Sequence, residues 1–174
     1  MLRLYADTED LRRTKRQRLV AVRDAILAQV PGAAVSADQP YRECDLAIDF
    51  AEDVARLDDA SIERIVAIFE AHGATARISS IHVNGWFGDY DKLSMTRRLM
   101  HEEFDEDLDA ARSRFTFVGD SPNDAPMFGY FPNAVGVANL TGQAHLCAAL
   151  PAWISRAERT AGFVELAEAL LASR

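Results

Sequence analysis

The sequence has little cysteine, no excess of positive charge and no long apolar run. Its two cysteines, Cys44 and Cys147, stand far apart without CxxC spacing, which argues against a disulfide framework or a zinc-binding cysteine cluster and leaves buried free thiols as the expectation. Lysine and arginine number 19 against 27 acidic residues, for a net charge of −8. A surface of that sign does not suit nucleic acid or another polyanion. No stretch approaches the roughly 20 apolar residues of a membrane helix, and Arg3 follows Leu2 where a secretory leader would continue apolar. The expected partners therefore exclude nucleic acid and membrane, and the expected location is the cytoplasm. Internal repeats and low-complexity tracts are also absent. What remains is an ordinary globular mix, 49% hydrophobic and 26% charged over 174 residues, long enough to bury roughly two-thirds of its unfolded surface.

Periodicity divides the chain in two. Residues 7–30 read as a helix capped by Thr8, with Leu11, Leu19, Val22, Ile26 and Val30 on one stripe and Pro31-Gly32 as its stop. Its basic residues Arg12, Arg13, Lys15, Arg16 and Arg18 are expected on a solvated face. Cys44, Leu46, Ile48 and Phe50 alternate with Asp45, Ala47 and Asp49 as in a strand with one buried face. A helix over 61–72 follows, built on Ile62, Ile65, Val66 and Phe69 and closed by Gly73. Residues 74–87 are extended, with Ile81 and Val83 pointing one way and His82, Asn84 and Trp86 the other; Gly85 and Gly88 mark a bulge or an exit turn. This half is expected to hold about two helices and two or three strands.

Beyond residue 89 the pattern alternates helix and strand. A helix over 91–104 carries Leu93, Thr96, Met100 and Phe104 on one face, and acidic residues 102–109 form a solvated connection. An apolar strand at 115–118, a polar loop, a short helix begun by Pro126, a second strand at 134–138 and a closing helix at 163–171 complete the chain. Such alternation predicts a parallel sheet, hence an α/β fold, with a domain boundary near residue 89.

The residues with most chemical content follow the first of these strands: Gly119, Asp120, Ser121, Pro122, Asn123 and Asp124. In open parallel sheets ligands sit at the carboxyl ends of the strands, so a carboxylate placed there faces the binding crevice. Asp120 offers hard oxygen to Mg²⁺, an ion that takes few protein ligands and shares its shell with water and substrate phosphate. The Asn123 amide can donate to a phosphate oxygen. The same residues also make ordinary turns. Lys92, one helix, one connection and one strand upstream, opens a helix where the dipole disfavours a cation unless an anion accompanies it.

Lys92 in the context Tyr90-Asp91-Lys92, the Gly119-to-Asp124 loop with Met127 and Phe128, and the segment Ala134, Val135, Gly136, Val137, Ala138, Asn139 together resemble the second half of a haloacid dehalogenase (HAD) superfamily phosphatase. The likeness is to the Cof-like and sucrose-phosphatase-like branch and covers essentially the whole chain. It implies an α/β cap over residues 1–88, which sets substrate specificity, and the C-terminal part of a Rossmann-type core over 89–174. It further implies a catalytic set of Lys92, Asp120, Asn123 and Asp124. Asp120, with support from Asp124, would hold Mg²⁺; Lys92 and Asn123 would engage the phosphate of a small phosphorylated metabolite such as a sugar phosphate. Substrate identity would fall to the cap, where His82, Asn84 and Trp86 are the leading candidates and Tyr41, Arg42 and Arg77 further ones.

One part of that family's pattern has no counterpart here. The mechanism needs an aspartate nucleophile with a second aspartate two positions on, after the first core strand. Asp7 follows a strand-like run but position 9 is Glu and a long helix begins at once; Asp89 and Asp91 have the spacing but lead directly into Lys92; Asp105, Asp107 and Asp109 have no strand before them. The expectation is a fragment, the C-terminal portion of a phosphatase and inactive by itself, with the exposed edges of its half-core covered by a segment outside this numbering or by self-association. Two alternatives accompany it: a non-catalytic module that binds or senses a phosphorylated metabolite, and an enzyme whose nucleophile half comes from a partner chain.

Overall fold

The computed structural model describes residues 3–173. The chain divides between Asp89 and Tyr90 into two compact units.

The first unit begins with α1, Glu9–Gln29. Thr8 caps it by accepting from the Leu11 N–H, and Glu9 and Asp10 lie at the positive end of the helix dipole. Leu19, Val22, Ile26 and Val30 are buried, but Leu11 is 45% exposed, because the stripe that meets the core begins about two turns further along. The basic half of α1 is not simply solvated. Arg12 stacks on the Tyr5 ring, Arg18 lies 3.7 Å from the Phe87 ring centroid, and Lys15 pairs with Asp7 at 2.6 Å. These contacts tie it to its own unit.

Four strands follow where two or three were expected: β1 Ala34–Val35, β2 Asp45–Asp49, β3 Thr75–Ile78 and β4 His82–Trp86. They form one antiparallel sheet in the order β1-β2-β4-β3. Helix α2, Asp59–Ala71, joins β2 to β3; Asp58 caps it through the Ser61 N–H, and Gly73, at φ +75°, ends it in a left-handed conformation that glycine adopts without steric cost. Leu46, Ile48 and Val83 face α1 and α2 and form the core with Val22, Ile26, Ile65 and Phe69. Gly85 is neither a bulge nor a turn. It pairs regularly with Leu46 and Ala76, and a Cβ there would lie 2.1 Å from the Phe69 ring, so the strand is glycine at this point to admit an aromatic ring.

The other face of β2 is also closed. Ala47 and Asp49 are 0% and 1% exposed, against the expectation of one buried face. Ser36 N–H donates to the Ala47 carbonyl, Gln39 bridges the Asp45 carbonyl and the Ala47 N–H, and the turn after β2 wraps the Asp49 carboxylate.

The second unit holds α3 Lys92–Phe104, α4 Leu108–Ala111, β5 Thr116–Gly119, α5 Ala125–Tyr130, β6 Asn133–Gly136, β7 Trp153–Ile154 and α6 Arg159–Ala172. Its three strands are parallel in the order β5-β6-β7. Leu108, Met127, Phe128, Phe131, Ala134 and Leu140 make its core, with Phe117 edge-on to Phe128 and stacked on Phe131. The acidic connection is more ordered than its charge implies: Asp107 accepts from the Asp109 and Ala110 N–H groups and starts α4, which buries Leu108. Phe104, expected on the buried face of α3, is 66% exposed at the end of the helix.

The closing helix departs furthest from its reading. Among its described residues only Gly162 is buried, while Phe163, Val164, Leu170 and Leu171 are exposed. A groove of about 450 Å³ runs between α6 and the sheet, lined by Val135, Trp153, Ile154, Leu166, Ala169 and Leu170 among others. The thiols are half-buried rather than buried, and burial raises the pKa of both Cys44 and Cys147. No helix among the described residues is long and apolar enough to cross a membrane.

Candidate functional site

β5 ends at Gly119, and the chain passes through Asp120 and Ser121 into a 3-10 turn, Pro122–Asp124, that leads into α5. The loop is organised by one carboxylate. Asp124 Oδ2 accepts from the Asp120 N–H at 3.0 Å and from the Ser121 N–H at 3.4 Å, and its Oδ1 is ion-paired with Lys92 Nζ. Asp124 and Ser121 are each 3% exposed. Gly119 makes room for this: a Cβ at that position would stand 2.5 Å from Asp124 Oδ2. Its role is therefore space rather than a positive φ, which it does not have.

Lys92 stands at the first position of α3, behind a reciprocal cap in which Asp91 accepts from the Ser94 N–H and Ser94 Oγ accepts from the Asp91 N–H. The anion that offsets the helix dipole at Lys92 is the carboxylate of Asp124, and Asn123 Oδ1 lies 3.5 Å from Lys92 Nζ. Asn123 Oδ1 also accepts from Ser121 Oγ at 3.0 Å, so the oxygen of this amide is engaged within the loop and its NH₂ is the end left to serve a ligand. Asp120 is different from Asp124: it is exposed, and among the described residues no hydrogen bond or ion pair reaches its carboxylate. Asn139 fastens the loop from behind, donating to the Asp120 carbonyl at 3.3 Å and accepting from the Arg159 N–H at 3.1 Å.

Lys92, Asp120, Asn123 and Asp124 thus gather at the carboxyl end of β5. A half-exposed ammonium, an amide donor and a free carboxylate point from one loop and one helix start, which is the donor set needed to hold a phosphate together with a hard cation. Mg²⁺ fits the residues present to this extent: Asp120 supplies one uncommitted oxygen ligand, and that ion takes one or two protein carboxylates and fills its shell with water and phosphate. Asp124, with both oxygens committed, is placed to position Lys92.

In the first unit His82, Asn84 and Trp86 share one face of β4 with Asp49, Ala47 and Asp45 opposite them on β2. Asn84 is not free, since its Oδ1 lies 3.3 Å from Arg42, which also pairs with Asp38 and Asp45. Hydrogen bonds from Arg42 and Ser36 hold the Asp38 carboxyl down at about 2. Tyr41 is 88% exposed, and Arg77 is exposed with its guanidinium on the Ala76 carbonyl. His82 is brought together with Asp49 and Glu52, one ligand atom of each lying within 4.8 Å of the others. Burial works against the Asp49 anion, but N–H groups of Glu52, Asp53 and Ala51 outweigh it and hold the carboxyl below its ordinary value. No spacing in the sequence signals this trio, because strand pairing and a turn assemble it.

No protein-family model matches the sequence, and no curated relative matches it. Among solved structures the chain is similar to the sucrose-phosphatase from Synechocystis sp. PCC6803 in complex with sucrose and phosphate, with a TM-score of 0.61 and 14% identity over 90% of this chain and 64% of that one. It is also similar to the protein 0175 of Thermoplasma acidophilum, with a TM-score of 0.58 and 16% identity over 86% of this chain and 60% of that one. The chain therefore spans less than two thirds of either protein. The likeness lies in the fold: an α/β architecture with a Rossmann-type parallel sheet.

Proposed function

We propose that the second unit is the C-terminal part of a Mg²⁺-dependent HAD phosphatase core and binds the phosphate of a small phosphorylated metabolite such as a sugar phosphate. The observation that carries this reading is the convergence of Lys92, Asn123 and the unpartnered Asp120 carboxylate around the buried Asp124 anchor. The fold shared with a sucrose-phosphatase supports it.

In this reading Lys92 neutralises a phosphoryl oxygen and Asn123 donates to a second, while Asp124 keeps the Lys92 ammonium aimed at the loop. Asp120, with Asp124 behind it, would hold Mg²⁺, which when bound offsets charge on the phosphoryl group. Rigidity comes from the glycine-tight packing of Asp124 against β5 and from the Asn139 staple. The first unit serves as the α/β cap that selects the substrate, although of the expected contacts His82 is buried and Asn84 is engaged by Arg42. The exposed faces of α6 and β7 are where a further chain segment or a second copy packs.

Phosphoryl transfer in this family begins with an aspartate nucleophile that the sequence does not supply, so the chain alone binds but does not hydrolyse. Phosphate release from a panel of sugar phosphates, assayed with the purified 174-residue chain and MgCl₂, is expected at the uncatalysed rate. Mg²⁺-dependent hydrolysis that survives Asp120→Ala would overturn both the metal role of Asp120 and the family's mechanism.

A further inference from the structure

The trio in the first unit shares no residue with the phosphate loop, and its geometry is not that of a plain ion pair. Asp49 ends β2 and His82 begins β4 directly opposite it, while Glu52 follows in the turn that the Asp49 carboxylate organises. His82 is 6% exposed, and its Nε2 is buried without a hydrogen-bond partner among the described residues. An unpaired buried polar atom costs about 1–3 kcal/mol, so native chains rarely keep one without a use.

Glu52 Oε2 lies only 2.8 Å from that nitrogen. The distance would suit a hydrogen bond, yet Nε2 makes none among the described residues. Two ligands on neighbouring tetrahedral vertices around a cation, with bonds of about 2.0–2.2 Å, stand roughly 3.3–3.6 Å apart and aim at the ion rather than at each other. His82 and Glu52 stand 2.8 Å apart, and the ligand atoms of all three residues lie within 4.8 Å of one another, so a small movement of the exposed Glu52 side chain brings them to that spacing.

Asp49 completes the set in an already fixed orientation. Its Oδ1 accepts from Ala51 and Glu52 N–H groups at 2.9 and 2.8 Å, and its Oδ2 accepts from the Asp53 N–H at 2.8 Å. Outer-sphere bonds of this kind hold ligating groups in place in established metal sites. Two carboxylates balance the charge of a divalent ion, and an imidazole nitrogen selects a first-row transition cation over Mg²⁺.

We propose that Asp49, Glu52 and His82 form a binding site for a divalent cation of the Zn²⁺ class, which clamps the turn after β2 onto the start of β4. Three protein ligands leave coordination positions on the side of Glu52, whose side chain is 45% exposed, so the ion remains open to water or to an oxygen of a bound ligand. The site does not depend on phosphate binding by the second unit.

The test is a calorimetric titration of the full, chelator-treated chain with ZnCl₂, paired with long-range ¹H–¹⁵N spectra of the histidines. One equivalent is expected to bind and to shift the His82 Nε2 resonance. Glu52→Gln, at an exposed position that leaves the fold intact by circular dichroism, and His82→Gln should each weaken binding at least tenfold, since loss of outer-sphere support alone costs about 10–100-fold. Asp120→Asn should bind as the parent does. The proposal is overturned if Zn²⁺ is not taken up, if MgCl₂ shifts the His82 Nε2 resonance as ZnCl₂ does, or if uptake survives Glu52→Gln and shifts His101 or His145 instead.

Discussion

Replacing Asp124 with alanine removes the anchor of the candidate site, and the structure sets the size of the effect. The carboxylate accepts a 3.0 Å bond from the Asp120 N–H and a longer 3.4 Å bond from the Ser121 N–H. Losing bonds to a charged acceptor costs about 1.5–3 kcal/mol. The Lys92 pair adds little, because the lysine side chain is 47% exposed and such pairs contribute about 0.2–1 kcal/mol. The total for Asp124→Ala is then about 2–4 kcal/mol. With an m-value of about 1.5 kcal/mol/M in urea, this moves the unfolding midpoint of the second unit down by about 1–3 M. Asp124→Asn keeps an oxygen acceptor for the loop and should cost less, and Lys92→Ala, which leaves the loop bonds in place, least of all. Urea unfolding followed by circular dichroism measures all three. A cost for Asp124→Ala within about 0.5 kcal/mol of zero, as for an ordinary surface substitution, would refute the account of the loop. So would a larger loss from Lys92→Ala than from Asp124→Ala.

Other outcomes follow from the same geometry. Gly119→Ala places a Cβ 2.5 Å from Asp124 Oδ2 and should cost about 1–3 kcal/mol while weakening phosphate-ester binding, read by urea unfolding and calorimetry on one sample. Gly85→Ala, with its Cβ 2.1 Å from the Phe69 ring, should destabilise the first unit by a similar amount, and Phe69→Leu in the same chain should recover part of the loss; additive costs would show that the two do not meet. The Asp38 carboxyl, held at about 2 by Arg42 and Ser36, is depressed from an unfolded value near 3.8. Its stabilising contribution is therefore full above about pH 4 and is lost as pH falls towards 2. Urea midpoints of the parent and Asp38→Asn should differ at pH 5 and converge by about pH 2.

The elements that the sequence announced are those written in local chemistry. Thr8 caps α1 because its side chain reaches the N–H three residues on, and the alternation at 82–86 places His82, Asn84 and Trp86 on one face because a strand has no other choice. The order of helices and strands after residue 89 likewise gives a parallel sheet. What stayed hidden depends on long-range partners. Nothing near Gly85 says that Phe69 will occupy its missing side chain, and nothing near Ala47 says that Gln39 will cover it. Val164 and Leu170 have helical spacing and still face outward, since spacing identifies an apolar face but not what covers it. At the candidate site, spacing placed Lys92 and the Asp120 loop at one end of the sheet. The division of labour between an exposed Asp120 and a buried Asp124 required coordinates, as did the approach of His82 to Asp49 and Glu52.

The central claim is that the Gly119-to-Asp124 loop and Lys92 form a phosphate site. Its most direct test is a calorimetric titration of the full chain with a sugar phosphate in the presence of MgCl₂, repeated with Lys92→Ala and Asp120→Ala. The account predicts saturable binding to the parent that Lys92→Ala and Asp120→Ala each weaken at least tenfold, or by about 1.4 kcal/mol. Absence of binding to the parent, or binding that both variants retain unchanged, would contradict it.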